Sequence, residues 1–295
     1  MSQTPTSCMT RAQALSWLGD QVGLTQDARR VEEVSEERFV EVPGGAVRLL
    51  HHRPESASAR PVMIVPGFGA ITDGWQEVYQ CLHDRVEFVV LDTLEKSSTR
   101  LDLPEPDLGV AQLAAQVQAG VEALGWADRD FVMLGSSWAG TTVLWGLKLG
   151  LIAPPTAVVV DPLERLPVPA WVLKHVVPLL PVGAVAALRD PIARVMLRHM
   201  HEPRQRARAE AFVEAADTGR WLRAIAQSWD VRLLGELGEI DWPVIVLNGT
   251  HDGVHDAANA PRIARELPAG ELLHSPVEEH LRERMIGVVL RELAQ

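Results

Sequence analysis

The chain of 295 residues carries 28 Lys and Arg against 39 Asp and Glu, a formal net charge of −11. Such an acidic balance argues against general affinity for nucleic acid or an anionic membrane, because both reward a basic surface. With 47% hydrophobic and 23% charged residues, the composition is that of a packed domain and not of a disordered chain.

Residues 1–36 read as an N-terminal extension with a short helix around Ala12 to Leu18. The opening, Met1 to Thr10, is polar and lacks the basic and apolar regions of a secretory signal. Cys8 and Cys81 are the only cysteines, neither in a ligand spacing, so reduced thiols and a cytoplasmic location are expected. Phe39 to Val42 and Val47 to Leu50 flank Pro43-Gly44-Gly45-Ala46, a turn between two strand-like runs. Short apolar runs then recur at Val62 to Val65, Glu87 to Leu91, Phe131 to Leu134, Ala157 to Val160 and Val244 to Leu247. Each is too short for a helix, lacks alternation and is rich in β-branched residues, as a strand buried on both faces is. Helical stretches such as Val110 to Leu124 and Thr141 to Leu149 lie between them. Strands alternating with helices predict an α/β fold: a mostly parallel central sheet with helices on both faces.

Residues 162–229 break the alternation, being helix-like throughout. They read as a helical lid inserted between core segments 37–161 and 230–295, over the strand C-terminal ends where ligands bind in open α/β sheets. Pro167 to Leu188 has membrane-like content, but Pro167, Pro169, Pro178, Pro181, Lys174 and His175 interrupt it. It is read as protein interior or a pocket cover, with no membrane span. Trp171, Val172, Leu173, Val176, Val177, Leu179 and Leu180 either line an apolar acyl or ring pocket or pack the lid on the core. Arg194, Arg198, Arg204, Arg206 and Arg208 form a positive run. It suits a carboxylate, a phosphopantetheine or an acidic carrier protein; a solvated helix face paired with Glu202, Glu210 and Glu214 is favoured.

The strongest chemical signal is Gly135-Ser136-Ser137-Trp138-Ala139-Gly140 between a buried strand and a helix. A nucleophile on a tight turn needs small residues two before and two after it, so that strand and helix approach closely. Gly135 and Ala139 hold those positions about Ser137. Ser136 has the wrong spacing. Gly67-Phe68-Gly69 lacks the third glycine of a dinucleotide fingerprint, and there is no Walker Gly-Lys-Ser/Thr.

On these motifs the chain resembles the α/β-hydrolase superfamily over roughly residues 37–293. The resemblance implies an oxyanion hole from the backbone amides of Phe68, in Val65-Pro66-Gly67-Phe68-Gly69, and of Trp138. Many relatives have His-Gly where this chain has Pro66-Gly67, a change the Phe68 amide survives. After Asp92 the family's Arg-Gly-x-Gly run is replaced by Thr93-Leu94-Glu95-Lys96-Ser97-Ser98, which marks a divergent branch. The family order of serine, acid and histidine points to Asp252 in Asn248-Gly249-Thr250-His251-Asp252-Gly253, with Asp161 as runner-up. His251 and His255 also have the spacing of two metal ligands on one helix face, but Gly253 and the loop context weigh against it.

Two histidines compete for the base. If Ser275-Pro276-Val277-Glu278 is a capping box opening the last helix, His274 lies in the loop before it. If Glu271 to Ser275 is the final strand, His280 follows the next loop. The longer step from Asp252 to His280 resembles the usual family gap of one helix, one strand and a short loop, so His280 is preferred and His274 kept as the alternative.

The expected function is a serine hydrolase acting on an ester or thioester of a small organic or acyl substrate, with no metal or organic cofactor. A biosynthetic thioesterase or acyltransferase is the near alternative, and a non-catalytic ligand-binding homologue the distant one, since fold does not fix chemistry. A homodimer is an allowed assembly.

Overall fold

The computed structural model describes residues 30–57, 60–69, 75–188, 191, 194, 203–248, 256, 258–274 and 282–295. The expected helix at Ala12 to Leu18 lies outside them. A short helix α1 (Val31–Val34) leads into β1 (Glu36–Val42) and β2 (Gly45–His52), an antiparallel pair whose turn is eased by Gly44 at φ 96°. Val31 is buried in the core, so the end of the expected extension packs on the sheet.

The chain then runs β3 (Val62–Val65), α2 (Gln76–Leu82), β4 (Phe88–Asp92), a two-residue β5 (Arg100–Leu101), α3 (Val110–Ala123), β6 (Val132–Ser136), α4 (Trp138–Lys148) and β7 (Thr156–Val160). It closes with β8 (Val244–Asn248), α9 (Asn259–Glu266), β9 (Gly270–His274) and α10 (Arg282–Leu293). Strand order is β1-β2-β4-β3-β6-β7-β8-β9, with β5 paired to β2. From β4 to β9 every neighbouring pair on that path is parallel, while β1 and β2 form an antiparallel edge.

The absence of alternation in the sequence has a direct cause. Ile64, Val90, Leu134, Val158 and Leu247 point to the face covered by α2 and α10. Met63, Val89, Met133, Val159 and Val246 point to the face covered by α3, α4 and α9. Both faces are buried, so both sets must be apolar. Truncating one such side chain, as in Ile64→Ala, costs about 2–5 kcal/mol.

Between β7 and β8 the chain forms α5 (Ala170–His175), a 3-10 turn (Val177–Leu179), α6 (Val182–Ala187), α7 (Pro203–Ala215) and α8 (Thr218–Gln227). Helix α8 packs against α5, the 3-10 turn and α6. The apolar run expected to line a pocket or to pack on the core divides instead. Leu173 and Val177 are buried, whereas Trp171 is 65% and Leu179 80% exposed. Among the described residues, no helix is long and apolar enough to cross a membrane.

Candidate active site

Six parallel strands end along one edge of the sheet. Register places Ser136 beside Val160, and Asn248 beside His274. Ser137 follows β6 immediately and opens α4. Its backbone sits at φ 53° and ψ −120°, a region a non-glycine residue occupies only when its surroundings enforce it.

Those surroundings can be named. The Ser137 N–H donates to the Val160 carbonyl (2.8 Å), and the Thr141 N–H to the Ser137 carbonyl (3.1 Å). A methyl group built on Gly135 would lie 2.7 Å from the Ala139 carbonyl oxygen, and one on Gly140 would lie 3.1 Å from the Gly135 carbonyl oxygen. Strand and helix therefore approach closely only because these residues lack side chains. The bend and its small-residue spacing are as the sequence predicts.

The loop after β3 lies against this bend. A methyl on Gly67 would meet the Ser136 carbonyl oxygen at 3.1 Å and the Ser137 Cβ at 3.2 Å. Phe68 is the next residue, and Trp138 begins α4 with its ring buried. The two amides singled out in the sequence thus belong to segments flanking the Ser137 side chain.

Asp161 follows β7 with φ 43°. Its N–H donates to the Leu247 carbonyl (3.0 Å), and its carboxylate is ion-paired with Arg282 at the start of α10. Asn248, the last residue of β8, is buried. His274 ends β9, the placement expected if Glu271 to Ser275 forms the final strand; its side chain, together with Asp252, His280, His251 and His255, lies outside the described residues. Among the described residues, no group of three or more His, Cys, Asp or Glu side chains is arranged to hold a metal ion.

After Asp92 the chain builds a buried polar turn. The Lys96 Nζ donates to Glu95 Oε1 (2.7 Å) and Thr93 Oγ1 (2.9 Å), and Ser98 Oγ donates to Asp92 Oδ2 (2.8 Å). Burial pushes the Asp92 carboxyl up, against the attraction of Lys96 and Arg48 and the Ser98 hydrogen bond. Helix α8 fastens onto this turn from above. Arg220 Nη1 donates to the Leu94 carbonyl (3.2 Å) and to Thr99 Oγ1 (2.8 Å), and also to the Lys96 carbonyl.

The Arg run between residues 194 and 208 falls partly outside the described residues. Where it is visible, Arg206 Nε donates to Glu210 Oε1 (3.2 Å) with both side chains exposed, which is the solvated helix face favoured from sequence. Sequence reasoning passed over Arg220, Trp221 and Arg282. Their partners are 121 or more residues away in several cases, and a bond to a backbone carbonyl leaves no pattern in the partner's sequence.

The sequence matches no protein-family model and no curated protein. Solved structures do match. A hydrolase from Pseudomonas aeruginosa is 18% identical over 88% of this chain and 99% of its own, with a TM-score of 0.69. The fold is that of the α/β-hydrolases. A thermophilic esterase from Thermogutta terrifontis (16% identity, 88% and 100% coverage) and an enol-lactonase from Burkholderia xenovorans (15%, 87% and 99%) superpose with the same TM-score. In this α/β-hydrolase fold the strand C-terminal edge carries Ser137, Asp161 and Asn248 side by side.

Proposed function

We propose that the protein is a serine hydrolase that cleaves an ester or thioester of a small organic or acyl substrate. The observation that carries this reading is the enforced backbone of Ser137, φ 53° and ψ −120°, at a strand-to-helix bend with the Gly67 loop against it. A purely structural turn at that point would take glycine and avoid the strain. A serine kept there gains a projecting hydroxyl.

In the proposed reaction the Ser137 Oγ attacks the carbonyl carbon while an imidazole takes its proton. The Phe68 and Trp138 amides hold the developing oxyanion; one such preorganised donor is worth about 3 kcal/mol. The imidazolium then protonates the departing alcohol or thiol, and water, deprotonated by the same imidazole, releases the acid from the acyl-serine. His280 is the proposed base and His274 its alternative. Asp252 is the proposed orienting carboxylate, favoured over Asp161 because Arg282 already engages the latter. Helices α5 to α8 act as the lid. No metal or organic cofactor enters these steps. The esterase and lactonase among the structural neighbours support carboxylic esters as the substrate class.

A fluorophosphonate probe tests the nucleophile. It is expected to label the wild-type protein and not Ser137→Ala, and labelling that survives in the variant sinks the assignment. His274→Ala and His280→Ala, assayed separately on p-nitrophenyl esters, identify the base: the variant that keeps full turnover has lost the wrong histidine.

A further inference from the structure

Helix α8 joins two surfaces. On one side, residues 220, 223 and 227 share a helix face and bind the 94–108 segment. Arg220 reaches the Leu94, Lys96 and Thr99 carbonyls, Arg223 Nη1 donates to the Pro104 carbonyl (2.8 Å), and the Leu108 N–H donates to Gln227 Oε1 (2.6 Å). Ala224 on the same face is fully buried among Val47, Leu94 and Leu108. Asp217 caps the helix, accepting from the Arg220 N–H (3.0 Å). The helix is therefore seated on the sheet edge by several long-range bonds.

Next to that face α8 presents Trp221 to the loop after β3. The Trp221 ring lies 5.2 Å from the Phe68 ring and 4.6 Å from that of Phe212 on α7. Gly69 has φ 64°, and a methyl there would meet Phe212 Cε2 and Trp221 Cζ2, both at 2.7 Å. Among the described residues the buried Trp221 indole N–H has no hydrogen-bond partner, and the ring is held by these contacts and by the seat of its helix. A group that loses a hydrogen bond to stay in place calls for a reason.

We infer that Trp221 is a positioning residue for the oxyanion hole: packed against the Phe68 ring and pressed on Gly69, it fixes the loop whose Phe68 amide faces the reacting carbonyl, and Arg220 fixes Trp221. The inference rests on the proposed hydrolase reading. Loop placement matters because a hydrogen-bond donor stabilises the oxyanion only at the right distance and orientation. The aromatic lock couples the seat of the helical segment to the rate of the chemical step.

The test uses the full-length protein and paired p-nitrophenyl esters that differ only in a carbonyl or thiocarbonyl at the reacting centre. Sulfur is a weaker acceptor, so a displaced amide slows the oxygen ester more than the thionoester. Trp221→Ala is expected to lower kcat on the oxygen ester about tenfold, less than the loss of a whole donor. KM and the fluorophosphonate-labelled fraction stay near wild type, and the oxygen-to-sulfur rate ratio falls. Trp221→Phe, which keeps a ring over Gly69, recovers most of the rate and the ratio. An unchanged ratio in Trp221→Ala overturns the inference, as does a change in KM alone. If that variant does not fold, Arg220→Lys decides: a lowered ratio supports the coupling and an unchanged one overturns it. Wild-type protein that the probe does not label removes the hydrolase reading itself, a different failure from an unchanged ratio in a labelled protein.

Discussion

Asp161 at the end of β7 and Arg282 at the head of α10, 121 residues apart, form an ion pair in which both side chains are largely shielded from solvent. The pair ties the last helix to the strand edge beside Ser137. Removing one partner of a shielded pair costs about 3–5 kcal/mol, whereas removing both costs less. Arg282→Met is expected to be clearly less stable in urea than the Asp161→Asn/Arg282→Met double variant. Additive losses would show that the two groups do not depend on each other.

The same pair separates the two candidate acids. With Asp161 engaged by Arg282, Asp252→Asn is expected to lower kcat by about 10⁴-fold, the scale of losing the carboxylate that orients a catalytic imidazole. Asp161→Asn, assayed on the same ester, is expected to lose far less. The reverse ranking would move the acid to the end of β7.

Strain at Ser137 predicts a stability difference between two inactive variants. Ser137→Ala and Ser137→Gly both lose the hydroxyl, but only glycine adopts φ 53°, ψ −120° freely. The relief is about 1–3 kcal/mol, partly offset by the larger entropy glycine loses on folding. The glycine variant is expected to unfold at higher urea than the alanine variant. A more stable alanine variant would mean that the bend is not under strain.

What could be read in the sequence follows a physical division. The apolar runs at Val62, Phe131, Ala157 and Val244 became strands because burial on both faces demands local composition, which a sequence displays. The bend at Ser137 was legible for a similar reason: Gly135 and Ala139 stand at fixed offsets set by steric contact. The Asp161–Arg282 pair, the seat of α8 and the contact of Trp221 with Phe68 were not legible. They join distant residues through an ion pair, backbone carbonyls or ring faces, and none of these requires a particular local pattern. The run from Trp171 to Leu180 was legible only in part, for a further reason. Its hydrophobicity fixes neither how a short helix is turned nor what covers it, and Trp171 and Leu179 face solvent.

A second buried dyad contributes to the acid limb of stability. His51 Nε2 lies 2.8 Å from Glu87 Oε1, and both residues are buried. Burial lowers the His51 pKa from its ordinary 6.5, and the bond to Glu87 offsets this only in part. For Glu87, burial acts upward, but hydrogen bonds from His51 and Arg129 hold it below 4.5. The folded chain thus takes up a proton at His51 less readily than the unfolded chain does. Stability is full above the unfolded value of about 6.5 and is lost as the pH falls below it. The Glu87 contribution, present above about 4.5, goes at lower pH. Urea midpoints are expected to hold steady down to about pH 7 and then decline, and His51→Gln should flatten the upper part of that decline. An identical slope in the variant would remove His51 from the account.

Cys81 is fully buried on α2, and burial pushes its thiol up to about 11. At pH 8 the reactive thiolate is then only about one part in a thousand, behind a packed wall. A Cys8→Ser variant is expected to give no reaction with Ellman's reagent when native and a full equivalent in guanidinium. Fast native labelling would show that α2 and α10 separate readily.

The outer strand β1 has a consequence for self-association. Glu36, Glu37, Arg38 and Glu41 along it are all exposed. Were two molecules to zip these borders together head to tail about Phe39, Glu37 of each would face Glu41 of the other, and like charges set opposite repel. In that register the two borders disfavour a sheet continued from one copy into the next.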